Sequence, residues 1–131
     1  IESLRSRAVS TSVEKLAEKA KKVGKIKLVS ARVEARDRSV LRSFGDQLRD
    51  KLKSGIVILA AVIEGKVALL SVVTKDLVKK GYHAGKIIEE VAKLVDGSGG
   101  GRPDMAQAGG KSVDKLDSAL SKAEKIILKL K

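Results

Sequence analysis

Two aliphatic runs, Ile56–Ile63 and Val67–Thr74, follow one another with only Glu64-Gly65-Lys66 between them. Nothing else in the sequence constrains the fold as strongly. A strand that is apolar at consecutive positions has no face to give to water, so both of its faces must be covered. The connection has room only for a tight turn at Gly65-Lys66, which predicts an antiparallel hairpin inside a sheet. Helices have to lie on that sheet to cover it.

The flanking sequence supplies the cover. Asp37 is placed as an N-cap for a helix over Arg38–Lys53, with Val40, Leu41, Phe44, Leu48 and Leu52 on one side and Gly55 as its stop. Lys25–Glu34 is rich in Val and Ile and predicts a strand. Strand, helix and strand in succession predict a right-handed parallel crossover. Asp76–Lys80 has room for one helical turn. Ala84–Val95 predicts a helix that buries Ile87, Ile88, Val91, Ala92 and Val95. Ser112 is placed to cap a last helix carrying Val113, Leu116, Leu120, Ala123, Ile127 and Leu130 at three- and four-residue steps. At the other end, Glu2–Val23 reads as a helix whose Val9, Val13, Leu16, Ala20 and Val23 form a short heptad seam, ended by Gly24. That seam suits either packing on its own domain or pairing with a second copy. The expected architecture is α/β: a small mixed sheet of about four strands flanked by helices and preceded by a long N-terminal helix. Residues 1–24 form a helical connector, and residues 25–131 a globular domain.

Composition narrows the function. The 131 residues carry 28 Lys and Arg against 16 Asp and Glu, a net charge of +12. Intramolecular pairing cannot absorb that excess, and its long-range field attracts polyanions. There is no cysteine, which excludes disulfides, thiolate metal sites and a cysteine nucleophile, and is compatible with a cytoplasmic setting. Nucleic acid is the first candidate and an anionic membrane surface the second; no apolar run approaches the roughly 20 residues of a membrane span, and no membrane partner is expected. The chain shows no signal peptide and enters a helical pattern directly from Ile1, as a segment cut from a longer protein would.

The placement of the charge says more than its sum. At about 100° per residue, Arg38, Arg42, Arg49 and Lys53 fall on one stripe, beside the apolar side of their helix. Lys111, Lys115, Lys122 and Lys129 align likewise around the last helix. Such runs are often solvated helix faces, but two of them on one strongly basic chain suit phosphate tracking. Phe44 and Tyr82 are the only aromatic residues, too few for a base-stacking platform across several nucleotides. Backbone and shape contacts to folded RNA fit better.

Half of the 12 glycines lie between Gly97 and Gly110. Read as a loop, Gly99-Gly100-Gly101 lets backbone N–H groups approach a phosphate and permits positive φ. Arg102 can grip a phosphate with both arms of its guanidinium. Asp104 can accept from a ribose or orient Arg102. Gln107 can bond a base edge or a 2′-hydroxyl. Gly109-Gly110, followed by Lys111, leads into a helix start, where anions are favoured. The alternative is a mobile surface linker, though Arg102-Pro103-Asp104-Met105 is unusual for one. A dinucleotide-binding fingerprint from Gly97 fails at Arg102, and a P-loop ending in Gly110-Lys111-Ser112 fails at Met105.

The segment GGGRPDMAQAGG closely resembles the glycine motif of the DHH-associated domain at the C-terminus of alanyl-tRNA synthetases. His83-Ala84-Gly85-Lys86, Lys115-Leu116-Asp117-Ser118-Ala119-Leu120 and Gly65-Lys66-Val67 are similar to that family as well, so the resemblance covers about residues 25–131. It implies a tRNA-binding domain without catalysis of its own, which helps one alanine tRNA serve aminoacylation and editing centres upstream in the same chain. It implies no cofactor within this segment, ATP and zinc belonging to the parent ligase. Homodimerisation would run through the N-terminal helix. A related domain in DHH exonucleases contacts single-stranded nucleic acid. That version typically has histidine after its glycine run, where Arg102 stands here. That departure favours the synthetase branch; the other functions in play are a single-strand-binding accessory domain and an oligomerisation module.

No catalytic constellation stands out. His83 is the only histidine and sits at a predicted helix start, a place for a cap. Glu89 and Glu90 are adjacent and point apart. Asp114 and Asp117 lie among lysines, as helix partners do.

Overall fold

A computed structural model describes residues 21–23, 26–33, 37–52 and 54–130. Its elements are β1 (Lys21–Val23), β2 (Ile26–Arg32), α1 (Arg38–Leu52), β3 (Ile56–Ile63), β4 (Lys66–Val73), α2 (Lys75–Lys79), α3 (Ala84–Lys93), β5 (Ser98–Gly101), β6 (Met105–Gly110), a 3₁₀ turn (Val113–Lys115) and α4 (Leu116–Leu130). The strands form one mixed sheet in the order β1-β2-β3-β4-β6-β5.

The aliphatic hairpin lies at the centre, as expected. Ile56 pairs with Val73 and Ile63 with Lys66 in unbroken antiparallel register. The turn itself is Glu64-Gly65, one residue earlier than the sequence suggested. Both have positive φ, 53° and 77°, the geometry of a two-residue turn that follows the twist of its strands. β2 runs parallel to β3 through α1, with Leu28 opposite Ile56.

Strand alternation divides the core in two. Ile56, Ile58, Ala60, Val67, Leu69 and Val73 point to one face, where α3 and α4 cover them with Ile87, Ile88, Val91, Leu116, Ala123 and Ile127. Val57, Leu59, Ala61, Ala68, Leu70 and Val72 point to the other, where Leu41, Phe44, Leu48 and Leu52 of α1 lie on them. A buried leucine or isoleucine contributes about 1.5–3 kcal/mol, so each aliphatic strand stabilises both layers. Gly45 lets α1 approach β4 closely, since a Cβ there would stand 2.5 Å from Leu70 Cδ2. The Asp37 carboxylate accepts from the Val40 N–H at 3.1 Å, the expected N-cap. Val40 itself is 37% exposed, because its angle on the helix lies beyond the apolar arc.

Four expectations change. Val23 is in a strand rather than at a helix end, since Lys21–Val23 pairs with Ile26–Leu28; the remainder of the expected N-terminal helix lies outside the described residues. The sheet has six strands instead of about four. Two of the additional ones, β5 and β6, are the glycine-rich stretch, which is a hairpin and not a loop. Finally, Ser112 does not cap a helix. Its hydroxyl donates to the Asp96 carboxylate, and its N–H donates to the Val95 carbonyl at 3.0 Å.

Candidate nucleic-acid interface

The glycine hairpin extends the sheet beyond β4. Gly109 pairs with Ala68, Gln107 with Leu70 and Met105 with Val72. On its outer side Gly99 pairs with Ala108 and Gly100 with Gln107. Alternation sends Ala106, Ala108 and Gly110 into the layer under α3, all buried, while Met105, Gln107 and Gly109 face the α1 side, half-buried. The glycines act through close packing. A Cβ on Gly110 would meet Val95 Cγ2 at 2.5 Å and the Val95 carbonyl oxygen at 2.6 Å. One on Gly85, in the first turn of α3, would stand 2.8 Å from the Gly101 carbonyl oxygen. The left-handed backbone expected of a phosphate cradle is not found at Gly99, Gly100, Gly101, Gly109 or Gly110. Among the described residues only Gly65 and Gly81 are glycines with positive φ.

The turn between the two strands is held from both sides. The Arg102 N–H donates to the Met105 carbonyl at 3.0 Å, the Val73 N–H to the Asp104 carbonyl at 2.9 Å, and the Ala84 N–H to the Pro103 carbonyl at 2.8 Å. The Asp104 carboxylate lies 3.9 Å from the Arg102 guanidinium, both side chains being exposed. At the start of α3 the His83 side chain accepts from the Lys86 N–H at 3.2 Å, and so caps the helix.

The arginine stripe of α1 looks onto this hairpin. Its angular position is on the Gly45 side of the helix, and Gly45 sits over Leu70 and Val72 of β4. Towards one end the Arg38 guanidinium reaches over Gly109, 3.1 Å from where a Cβ would stand. Towards the other, Arg49 and Asp50 border a hollow with Thr74, Lys75, Asp76 and Asp104. Arg42 lies between them. Arg49 is partly neutralised by Asp46 at 3.6 Å and Asp50 at 3.8 Å. Arg38 and Arg42 are exposed and have no acidic partner among the described residues. Lys53 lies outside the described residues.

The lysine stripe is elsewhere. Lys115 and Lys122 are exposed beside α4, which packs on the opposite face of the sheet from α1. Lys115 is engaged with Asp96 at 3.5 Å. The Asp96 carboxyl is held below the usual carboxylate range, by the Ser112 hydroxyl first and by the Lys115 charge next. Lys111 follows β6 and is exposed. The structure thus brings Arg38, Arg42, Arg49, Gly100, Gln107 and Gly109 to one face, and leaves Lys115 and Lys122 on the other. Met105 belongs to the first group and was not singled out from sequence. The alternation of Met105, Gln107 and Gly109 with two alanines and a glycine is the signal that would have found it.

A mixed sheet clad by helices on both faces, with a glycine hairpin at one edge and beside it two arginines that have no acidic partner among the described residues, defines a class of small basic α/β domain. Residues 25–129 match the DHHA1 domain, and the chain belongs to that family. Within it the match is to the C-Ala domain of alanyl-tRNA synthetase. The crystal structure of the Aquifex aeolicus C-Ala domain superposes with a TM-score of 0.75 at 33% identity, covering 83% of this chain and 97% of that one. The alanine–tRNA ligase of Acetivibrio thermocellus is 52% identical over 127 residues, 97% of this chain, and that of Geobacillus thermodenitrificans is 50% identical over 123 residues, 94% of this chain. The chain spans 14% of the length of each of those ligases.

Proposed function

We propose that this domain holds tRNA for an alanine–tRNA ligase of which it is one part, helping a single tRNA reach aminoacylation and editing centres elsewhere in that chain. ATP and zinc are assigned to those other parts: one histidine and no cysteine leave this segment without the cysteine or multiple-histidine ligand sets that zinc sites commonly use. The ligase setting is supported by the likeness to alanine–tRNA ligases along nearly the whole chain, and a cytoplasmic location is proposed with it. Pairing of two copies through the N-terminal segment stays a separate proposal, testable by sedimentation.

One observation carries the RNA reading. Arg38 and Arg42 stand exposed, without acidic partners among the described residues, beside a strand face that also presents Gln107. A guanidinium free of carboxylates is available to phosphate, and release of counterions makes such binding steeply salt-dependent. The test is tRNA affinity across a salt series for the native domain and for Arg38→Glu/Arg42→Glu. The native slope should be steep, and each reversed arginine should reduce it by about 1 and weaken binding. An unchanged slope and affinity in the double variant would refute this interface. Poly-dT that tRNA fails to displace would point to a single-strand-binding domain instead.

A further inference from the structure

α1 carries its charge unevenly along its length. At about 100° per residue, Ser39, Ser43, Asp46 and Asp50 line up along the solvent flank of the arginine stripe, on its far side from the buried Leu41, Gly45, Leu48 and Leu52. Beside Arg38 and Arg42 that flank is neutral. Ser39 and Ser43 are exposed, and the Ser43 hydroxyl accepts from the Gln47 amide at 3.2 Å. Asp37, the residue before Arg38, is turned to the Val40 N–H instead. Beside Arg49 the flank is acidic. The Asp46 carboxylate lies 3.6 Å from the Arg49 guanidinium, and the Asp50 carboxylate 3.8 Å from it. Two negative charges thus surround one positive charge at this end of α1. The other end presents two positive charges that have no acidic partner among the described residues.

We infer that Asp46 and Asp50 are a brake on RNA binding: they withhold Arg49 from phosphate, so that only the Arg38 end of α1 grips. The inference rests on the RNA reading above and adds a limit to it. A phosphate at Arg49 meets two carboxylates at distances comparable to that of the guanidinium, and at comparable distances two repulsions outweigh one attraction. The effect on reach is large. Arg38 and Arg42 are about 6 Å apart along the helix axis, and Arg49 is about 10 Å further on. A free Arg49 makes the cationic track nearly three times as long. All three side chains of the brake are open to water, and ion pairs of that kind are weak. They set the strength of the hold without locking the arginine. Such a limit suits a domain that has to release one tRNA to two centres, since repulsive groups tune recognition as much as attractive ones.

Asp46→Asn/Asp50→Asn removes the brake, and Glu89→Gln/Asp114→Asn removes the same charge from the α3 and α4 side of the sheet, where both residues are exposed. Between the two sites stand the sheet and a helix layer about 10 Å thick, against a screening length of roughly 10 Å at 0.1 M salt. Unfractionated tRNA is the probe. The first variant should bind more tightly than the native chain, with a salt slope steeper by about 0.7–0.9, one added phosphate contact. From about 50 to 200 mM salt, that slope makes the gain about threefold larger at the low end. The second variant should keep the native slope, and so should Asp46→Glu/Asp50→Glu, in which the charges remain. A native slope or weaker binding in the Asn variant overturns the inference, since the aspartates are then inert or are placing Arg49 for RNA. An equal rise in the opposite-side variant overturns it as well, because net charge alone is then responsible, and so does a rise in the Glu variant. Arg38→Glu/Arg42→Glu reports separately on the RNA reading: if that variant binds like the native chain, the reading falls whatever the aspartates do.

Discussion

Two glycines of the same hairpin should respond to alanine in opposite directions. A Cβ on Gly110 would lie 2.5 Å from Val95 Cγ2 and 2.6 Å from the Val95 carbonyl oxygen. Neither neighbour can retreat cheaply. The valine side chain is short and stiff. Its carbonyl is fixed by the N–H groups of Lys111 and Ser112 at 2.9 and 3.0 Å. Relief has to come from moving α3 off the sheet, an overpacking that costs about 1–3 kcal/mol; with backbone involved, the upper half of that range applies. At roughly 4 °C per kcal/mol for a domain of this size, Gly110→Ala should lower Tm by about 8–12 °C. Gly100→Ala meets nothing and sits in an extended strand, so restricting the unfolded chain should make it neutral or raise stability by about 0.4–1 kcal/mol. Urea melts followed by circular dichroism, with the slope of each transition compared, separate a change in stability from a change in compactness. Equal tolerance of the two substitutions would refute the placement of β6 under Val95, and with it the explanation of the glycines as packing residues.

Other outcomes follow from single contacts. His83→Ala removes the acceptor for the Lys86 N–H and should cost about 0.5–2 kcal/mol in a urea melt, with the salt slope of tRNA binding unaltered. Asp76 accepts from the hydroxyls of Ser54 and Thr74; the Ser54 bond is the larger cause and the Thr74 bond the next holding its carboxyl below the ordinary range. A folded-state value below the unfolded one means that the contribution is complete above the unfolded carboxylate range near pH 4 and is lost as pH falls through the folded value. Asp76→Asn should therefore flatten stability against pH on the acid side only, read from melts between about pH 2 and 5. The Ser71 hydroxyl is fully buried without a hydrogen-bond partner among the described residues. Ser71→Ala should hold or raise stability by up to about 1 kcal/mol, and a clear loss would show that the hydroxyl is satisfied.

The central hairpin was readable because its runs are apolar at every position, which allows few environments other than a doubly covered strand. α1 was readable from its spacing, and so was its arginine stripe. Val40 marks the limit of that method, since periodicity places a residue on a helix but does not say where the apolar arc ends. The glycine hairpin was hidden for a different reason. Ser98–Gly101 has no side chains with strand preference, and Met105–Gly110 alternates between small residues. Their extended form is imposed by pairing with β4, a contact between distant parts of the chain that local propensity does not register. The same blindness hid how the two basic stripes lie relative to each other. Sequence gives each helix its charged side but not the sheet face on which that helix settles, and α4 settled opposite α1.

The order of strands has a consequence for how the molecule can be altered. β1 and β5 form opposite rims of the sheet, five inter-strand steps apart, or roughly 24 Å at about 4.8 Å per step. On the RNA reading, a ligand resting on the β5 rim would lie on the side of the sheet away from β1. Changes at such a distance combine additively when they share no partner. The strength of grip on a ligand can therefore drift or be redesigned at one rim, while the attachment at the other keeps its own stability.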